Sequence, residues 1–164
     1  MAVAELIGAA MGVLLLIFVA YVLVGSTLTT AQTLAEAQKD LTLQDESRLR
    51  TDIVISSASL EEGNTLNFSV TNQGSEIVSD FKHMDILSTN GTGNFEYYSY
   101  TKNFIGSSGT WTINSFEPVS GVHPGELDPG ETVWCEAVYP GDIPKWFQVT
   151  TSNGVYTSAY IPYP

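Results

Sequence analysis

The chain has a single cysteine, Cys135, so it can close no internal disulfide and build no cysteine-based zinc site. Basic residues are almost as scarce. Six Lys and Arg stand against 18 Asp and Glu, a formal net charge of −12, and none precedes Lys39. Such a surface repels phosphate backbones and anionic headgroups, which excludes nucleic acid as a partner. The only histidines are His83 and His123, and neither sits in a nucleophile–base motif. No glycine-rich phosphate loop, GxSxG elbow, HExxH helix or EF-hand loop occurs. The expectation is a non-enzyme with no catalytic residue, no cofactor and no resident metal.

What is present is unevenly placed. Of 164 residues 43% are hydrophobic and 11% aromatic, enough for one folded domain with an appended segment. Residues 6–24 read LIGAAMGVLLLIFVAYVLV without a charge, and the next charge after Glu5 is Glu36. At about 1.5 Å per residue this uncharged stretch outruns the roughly 30 Å hydrocarbon core of a bilayer. Beyond it Leu28, Ala31, Leu34, Ala35, Gln38, Leu41, Asp45 and Leu49 recur at helical spacings of three and four. Residues 1–50 are therefore expected as one helix, bent near Gly25 and Ser26, since a helical glycine costs about 1 kcal/mol relative to alanine. A signal peptide would carry a basic n-region before the apolar run. Its lack is expected either of a mature chain whose short basic leader was removed ahead of residue 1 or of an unprocessed chain inserted N-terminus outward.

After Thr51 the texture becomes short alternating segments rich in Val, Ile, Tyr, Phe and Thr, punctuated by Gly, Asn, Asp and Pro. Strands are expected over 52–59, 65–72, 76–88, 95–102, 110–116, 132–139, 146–152 and 155–161. The predicted fold class is α+β, a long hydrophobic helix (1–50) followed by an all-β, immunoglobulin-like sandwich head (51–164). In LNFSV, Leu66, Phe68 and Val70 should face inward, with Asn67 and Ser69 outward. Asn153-Gly154 reads as a two-residue hairpin turn. The head holds 13 acids and 3 bases, net −10, against net −2 for residues 1–50.

Individual residues offer little chemistry. His83 alternates with its neighbours and reads as a surface or sheet histidine, and His123 lies in a Pro/Gly-rich loop. Cys135 shares one strand face with Val133, Ala137 and Tyr139 and reads as a buried, inert thiol. Glu126, Asp128 and Glu131 could gather calcium, although LDPGET also forms an ordinary turn bent at Pro129-Gly130. Two N-glycosylation sequons begin at Asn67 and Asn90. Tyr97, Tyr98, Tyr100 and Trp111 are either contact aromatics or cross-strand pairs.

The apolar segment is more telling. Glu5 precedes the run at a point where an unpaired carboxylate is costly to desolvate, and the α-amino group of Met1 lies one helical turn away. Gly8 and Gly12 form a GxxxG match that permits close helix approach. With these residues in view, the chain resembles the type IV pilin superfamily, in particular archaellins and archaeal pilins. MAVAELIGAAMGVLLLIFVAYVLVGS is similar to a mature pilin N-terminus with its glutamate at Glu5. LTLQDESRLRTDIVIS resembles the helix-to-head junction, and LNFSVTNQGSEIV and LDPGETV resemble recurring head segments.

The resemblance implies a leader cut by a prepilin-type peptidase, storage in the membrane, and extraction by an ATPase-driven machine into a helical filament of identical or closely related subunits at the cell surface. Helices would form its core and heads its sheath. The implied assembly interface comprises Met1, Glu5, Leu6, Ile7, Gly8, Gly12, Val13, Leu14, Leu16, Ile17, Val22 and Leu23. Two alternatives share the architecture: a membrane-anchored, stator-like archaellum accessory protein whose head grips the surface layer, and a surface adhesin.

Overall fold

The structure is a computed structural model, and it describes residues 2–102, 106–119 and 121–162. Helix α1 spans Ala2–Arg50, 49 residues without interruption through Gly25 and Ser26. Eight strands follow: β1 (Ile53–Glu61), β2 (Thr65–Asn72), β3 (Asp85–Thr89), β4 (Phe95–Tyr100), β5 (Thr110–Glu117), β6 (Thr132–Val138), β7 (Trp146–Thr150) and β8 (Tyr156–Tyr160). The expected α+β class, a long helix and then an all-β sandwich, is what the chain adopts. Two compact units result, Met1–Gln44 and Asp45–Pro164, so residues 45–50 of α1 group with the head.

In the head the strand order is β1-β2-β6-β5-β4-β3-β7-β8. Two antiparallel layers join where β4 runs parallel to β5 for just two residue pairs, Ser99 with Thr110 and Tyr100 with Trp111. The inward residues of each layer meet in one core, where Leu66, Phe68, Val70, Ile86, Tyr98, Trp111, Val133, Phe147 and Val149 are buried. Phe68 of β2 sets its ring edge-on against Phe147 of β7, centroids 5.3 Å apart, tying the layers together. Val133, Cys135, Ala137 and Tyr139 all point inward, as their alternation requires.

Three local expectations are corrected. Residues 76–88 do not form one strand. Val78 makes an isolated bridge to Leu127, a 3₁₀ turn covers Phe81–His83, and only then does β3 begin. His83 is thus a surface rather than a sheet histidine, exposed, with its Nδ1 turned back to the Asp80 carboxylate at 2.8 Å. Ser69 shares the outer side of β2 with Asn67 but is buried, its hydroxyl 2.7 Å from that of Ser57. The β7–β8 turn is longer than two residues. Thr151 N–H reaches Val155 O and Gly154 N–H reaches Thr151 O, with Gly154 at φ 84°, a type I turn closed by a left-handed glycine.

Residues 45–51 are held by the head's own loops. The last carbonyls of a helix need partners outside it. Arg50 O accepts from Ser75 and Glu76 N–H at 2.8 and 3.1 Å, and Asp52 O from Gln73 and Gly74. A side chain at Gly74 would collide with Arg50 O and Asp52 N, so only glycine lets this turn close on the helix end. From the opposite side, Asn153 Nδ2 donates to Thr51 Oγ1 at 2.7 Å, and Thr51 Oγ1 donates to Ser47 O.

Candidate functional site: the apolar helix

Within α1 the residues named for assembly lie on every side of the helix. Leu6, Ile7, Val13, Leu14, Leu16, Ile17, Val22 and Leu23 are all exposed in the single chain. A helix apolar all round has no stable place in water and requires lipid or other helices. By length and composition α1 can cross a bilayer. Gly8 and Gly12, one turn apart, have open space where a Cβ would stand, which leaves a shallow notch for a second helix. Glu5 is exposed in the first turn, where a carboxylate suits the helix dipole. Met1, and with it the amine–carboxylate pairing, lies outside the described residues.

Polar residues 26–33 are made compatible with apolar surroundings by their own backbone. The hydroxyls of Ser26, Thr27, Thr29, Thr30 and Thr33 each donate to a carbonyl three or four residues back, at 2.9 to 3.1 Å. Sequence inspection passed over this run, although its signal is plain: hydroxylated residues in a helix, adjoining an apolar span.

Elsewhere the head's polar groups serve the fold. Asp128 is buried and accepts from His123 N–H at 2.8 Å and lies 2.7 Å from His123 Nδ1. That contact raises the His123 pKa and lowers that of Asp128. Glu131 accepts the Asp128 N–H, and Pro129-Gly130 makes the turn, Gly130 taking φ 83°. Of the suspected calcium ligands, Asp128 and Glu131 are therefore engaged in this turn and with His123, while Glu126 joins it through its backbone N–H to His123 O. Among the described residues no three His, Cys, Asp or Glu converge as a metal site. Burial pushes the Cys135 thiol far up, consistent with an inert side chain.

The two sequons differ in setting. Asn67 lies mid-strand between β1 and β6, half-buried, with its Oδ1 enclosed. Asn90 lies in the β3–β4 loop, where Oδ1 accepts from both Thr92 N–H and Thr92 Oγ1. Of the four aromatics singled out, Tyr98 and Trp111 are core residues, Tyr100 packs on Trp111, and Tyr97 alone is exposed.

No family model matches the chain, and no curated protein is similar to it. Solved structures are. The archaeal flagellum of Methanospirillum hungatei strain JF1 matches with a TM-score of 0.59 at 17% identity, covering 93% of this chain and 90% of that one. The archaellum periplasmic stator protein FlaG from Sulfolobus acidocaldarius matches at 0.52 and 22% identity, over 66% of this chain and 97% of its own. The stator complex of FlaF and FlaG from the same organism matches at 0.51 and 22%, over 65% and 85%. The chain shares the fold of archaellum components. All three are described as parts of a filament or its stator rather than as enzymes. The flagellum match takes in nearly the whole of both chains.

Proposed function

We propose that this chain is a structural subunit of an archaellum or a related pilus-like surface filament, polymerising through α1 with the β head outward. The observation that carries this is residues 6–24 of the 49-residue helix, uncharged, apolar on all sides and unburied in the single chain, on an architecture like that of a flagellar filament over 93% of its length. Leaving lipid for a bundle keeps such residues out of water, at about 25 cal/mol per Å² buried. Leu6, Ile7, Val13, Leu14, Leu16, Ile17, Val22 and Leu23 supply that surface, Gly8 and Gly12 the close approach, and Glu5 with Met1 the register. The subunit waits in the membrane and is drawn out by an assembly machine. No step requires catalysis.

Leu16→Asp tests the reading. A carboxylate in such a core costs roughly 2.5–3.5 kcal/mol per copy, repeated in every subunit. Filament assembly should be lost while head fluorescence stays native, and normal filaments from this variant would refute the reading. The likeness to FlaG supports a second one, an anchored accessory protein. Quantitative mass spectrometry of sheared filaments separates them: the subunit dominates the filament fraction, and the accessory protein stays with the membrane.

A further inference from the structure

The outer face of β4, β3, β7 and β8 is rich in aromatic residues and poor in charge. Its register pairs Phe95 with Thr89, Thr89 with Trp146, and Trp146 with Tyr160, one residue per strand in a lateral row. The next row is Tyr97, Leu87, Gln148 and Ser158, and a third runs through Asp85, Thr150 and Tyr156. Phe95 and Tyr160 are 68% and 82% exposed, Tyr97 and Tyr156 are also exposed, and Trp146 is half-buried. Between Phe95, Trp146, Tyr160 and Lys145 lies an open groove of about 390 Å³. Asp85 is the one acid in these rows, and it accepts a hydrogen bond from Tyr97 at 2.9 Å. A head of net −10 thus keeps one broad face almost free of negative charge and sets Lys145 at its rim.

Aromatic-rich, charge-poor surface is what fills the buried centre of a protein–protein contact. Rows spaced by 4.7–4.9 Å across strands and about 6.8 Å along them make this patch roughly 14 Å by 14 Å. That is well short of the roughly 800 Å² per partner that a free-standing dimer buries. The patch suits a contact made after something else has brought the partners together. Copies bundled through α1 meet that condition. Strongly acidic copies also approach each other best where acids are few.

We propose that this aromatic face is where one head docks on the head of a second copy. The inference rests on the filament reading above. Because a face packed on itself closes a two-fold dimer and cannot propagate, the contact is heterologous: Phe95, Trp146 and Tyr160 of one copy meet a different surface of the next. Lys145 faces a carboxylate there.

Hydroxyl-radical footprinting read by mass spectrometry tests this on the full chain, comparing detergent-dispersed monomer with intact filaments. Oxidation of Phe95, Trp146 and Tyr160 should fall in filaments towards the rate of the buried Tyr98. Filaments of the Phe95→Ser, Tyr160→Ser double variant should dissociate at lower temperature with the monomeric head unchanged. Filaments that leave the three aromatics as reactive as in monomer overturn the docking and leave the filament reading standing. So does protection that arises only when cell-envelope oligosaccharide is added, which would assign the face to a sugar. A chain that forms no filaments overturns the filament reading itself, and the docking falls with it.

Discussion

Asn72 offers a sharp test of how the head is held together. It is fully buried at the end of β2, where Nδ2 donates to Glu76 O at 2.7 Å and Leu127 O at 3.0 Å, and Oδ1 accepts from Gly74 N–H at 3.0 Å. One side chain thereby fixes the turn that caps α1 and the loop that leads into β6. Asn72→Asp exchanges the NH2 group for oxygen and little else. Protonated, the new acid can donate to one of the two carbonyls and strands the other, a loss of about 1–3 kcal/mol. Ionised, it faces both carbonyl oxygens with a buried charge and loses several kcal/mol more. Its folded pKa must therefore rise above the ordinary value of about 3.9. A raised carboxylate binds more protons folded than unfolded, so stability should fall with pH from about 4 upward, by at most 1.36 kcal/mol per unit, until the folded pKa is passed.

Denaturant titration of the full chain in detergent measures this, because all three tryptophans, Trp111, Trp134 and Trp146, report on the head alone. Asn72→Ala serves as the comparison, destabilised with no new pH dependence. If Asn72→Asp tracks the wild-type pH profile, the carbonyls of Glu76 and Leu127 do not face this side chain and the account of this site is wrong.

Gly74→Ala should lower head stability by about 1–3 kcal/mol, since the added methyl meets backbone atoms of residues 50 and 52 that cannot swing aside; an unshifted denaturation midpoint would contradict this. The His123–Asp128 contact predicts a window. The His123 pKa is raised from 6.5, so its contribution is whole below 6.5 and is lost as pH climbs through the folded value. The Asp128 pKa is lowered from 3.8, so its contribution is whole above 3.8 and is lost as pH drops through the folded value. Wild type should therefore exceed His123→Gln in stability most between those two pH values, and a pH-independent difference would dismiss the ionic account. If the native host glycosylates the chain, glycopeptide mapping should find sugar on Asn90 and not on Asn67, whose flanking strands and enclosed Oδ1 deny access; occupancy at Asn67 would reverse the assignment.

Periodicity made the helix and most strands legible, because Leu66, Phe68 and Val70 or Val133, Cys135 and Ala137 can satisfy burial in only one way. It failed at 76–88, where FKHM carries strand-like alternation. There the segment must clear the helix end, and Ser75 and Glu76 spend their N–H groups on Arg50 O instead of a neighbouring strand. The Asn153-Gly154 turn failed for a related reason. The Asn153 side chain is committed to Thr51 Oγ1 and Thr151 Oγ1, a tertiary demand invisible in the dipeptide. The aromatic face was hidden because Phe95, Trp146 and Tyr160 are far apart in sequence and meet only once β4, β3, β7 and β8 are in register.

On the filament reading proposed above, the length of the uncharged helix follows from two environments, a bilayer and then a bundle. A span needs only about 20 residues, yet no charge intervenes between Glu5 and Glu36. The surplus is residues 25–35, where Ser26, Thr27, Thr29, Thr30 and Thr33 interrupt the aliphatic run. In a membrane these residues would sit at the headgroups, where hydroxyls are welcome. In a bundle they would be enclosed, and each hydroxyl left without an acceptor would cost about 1–3 kcal/mol. Back-bonding from Thr27, Thr29, Thr30 and Thr33 removes that cost beforehand, since the acceptors belong to the same helix and travel with it. Leucines in their place would pack equally well in the bundle and would hold the chain more deeply in lipid. On that reading, a helix drawn out of the bilayer is better served by threonine.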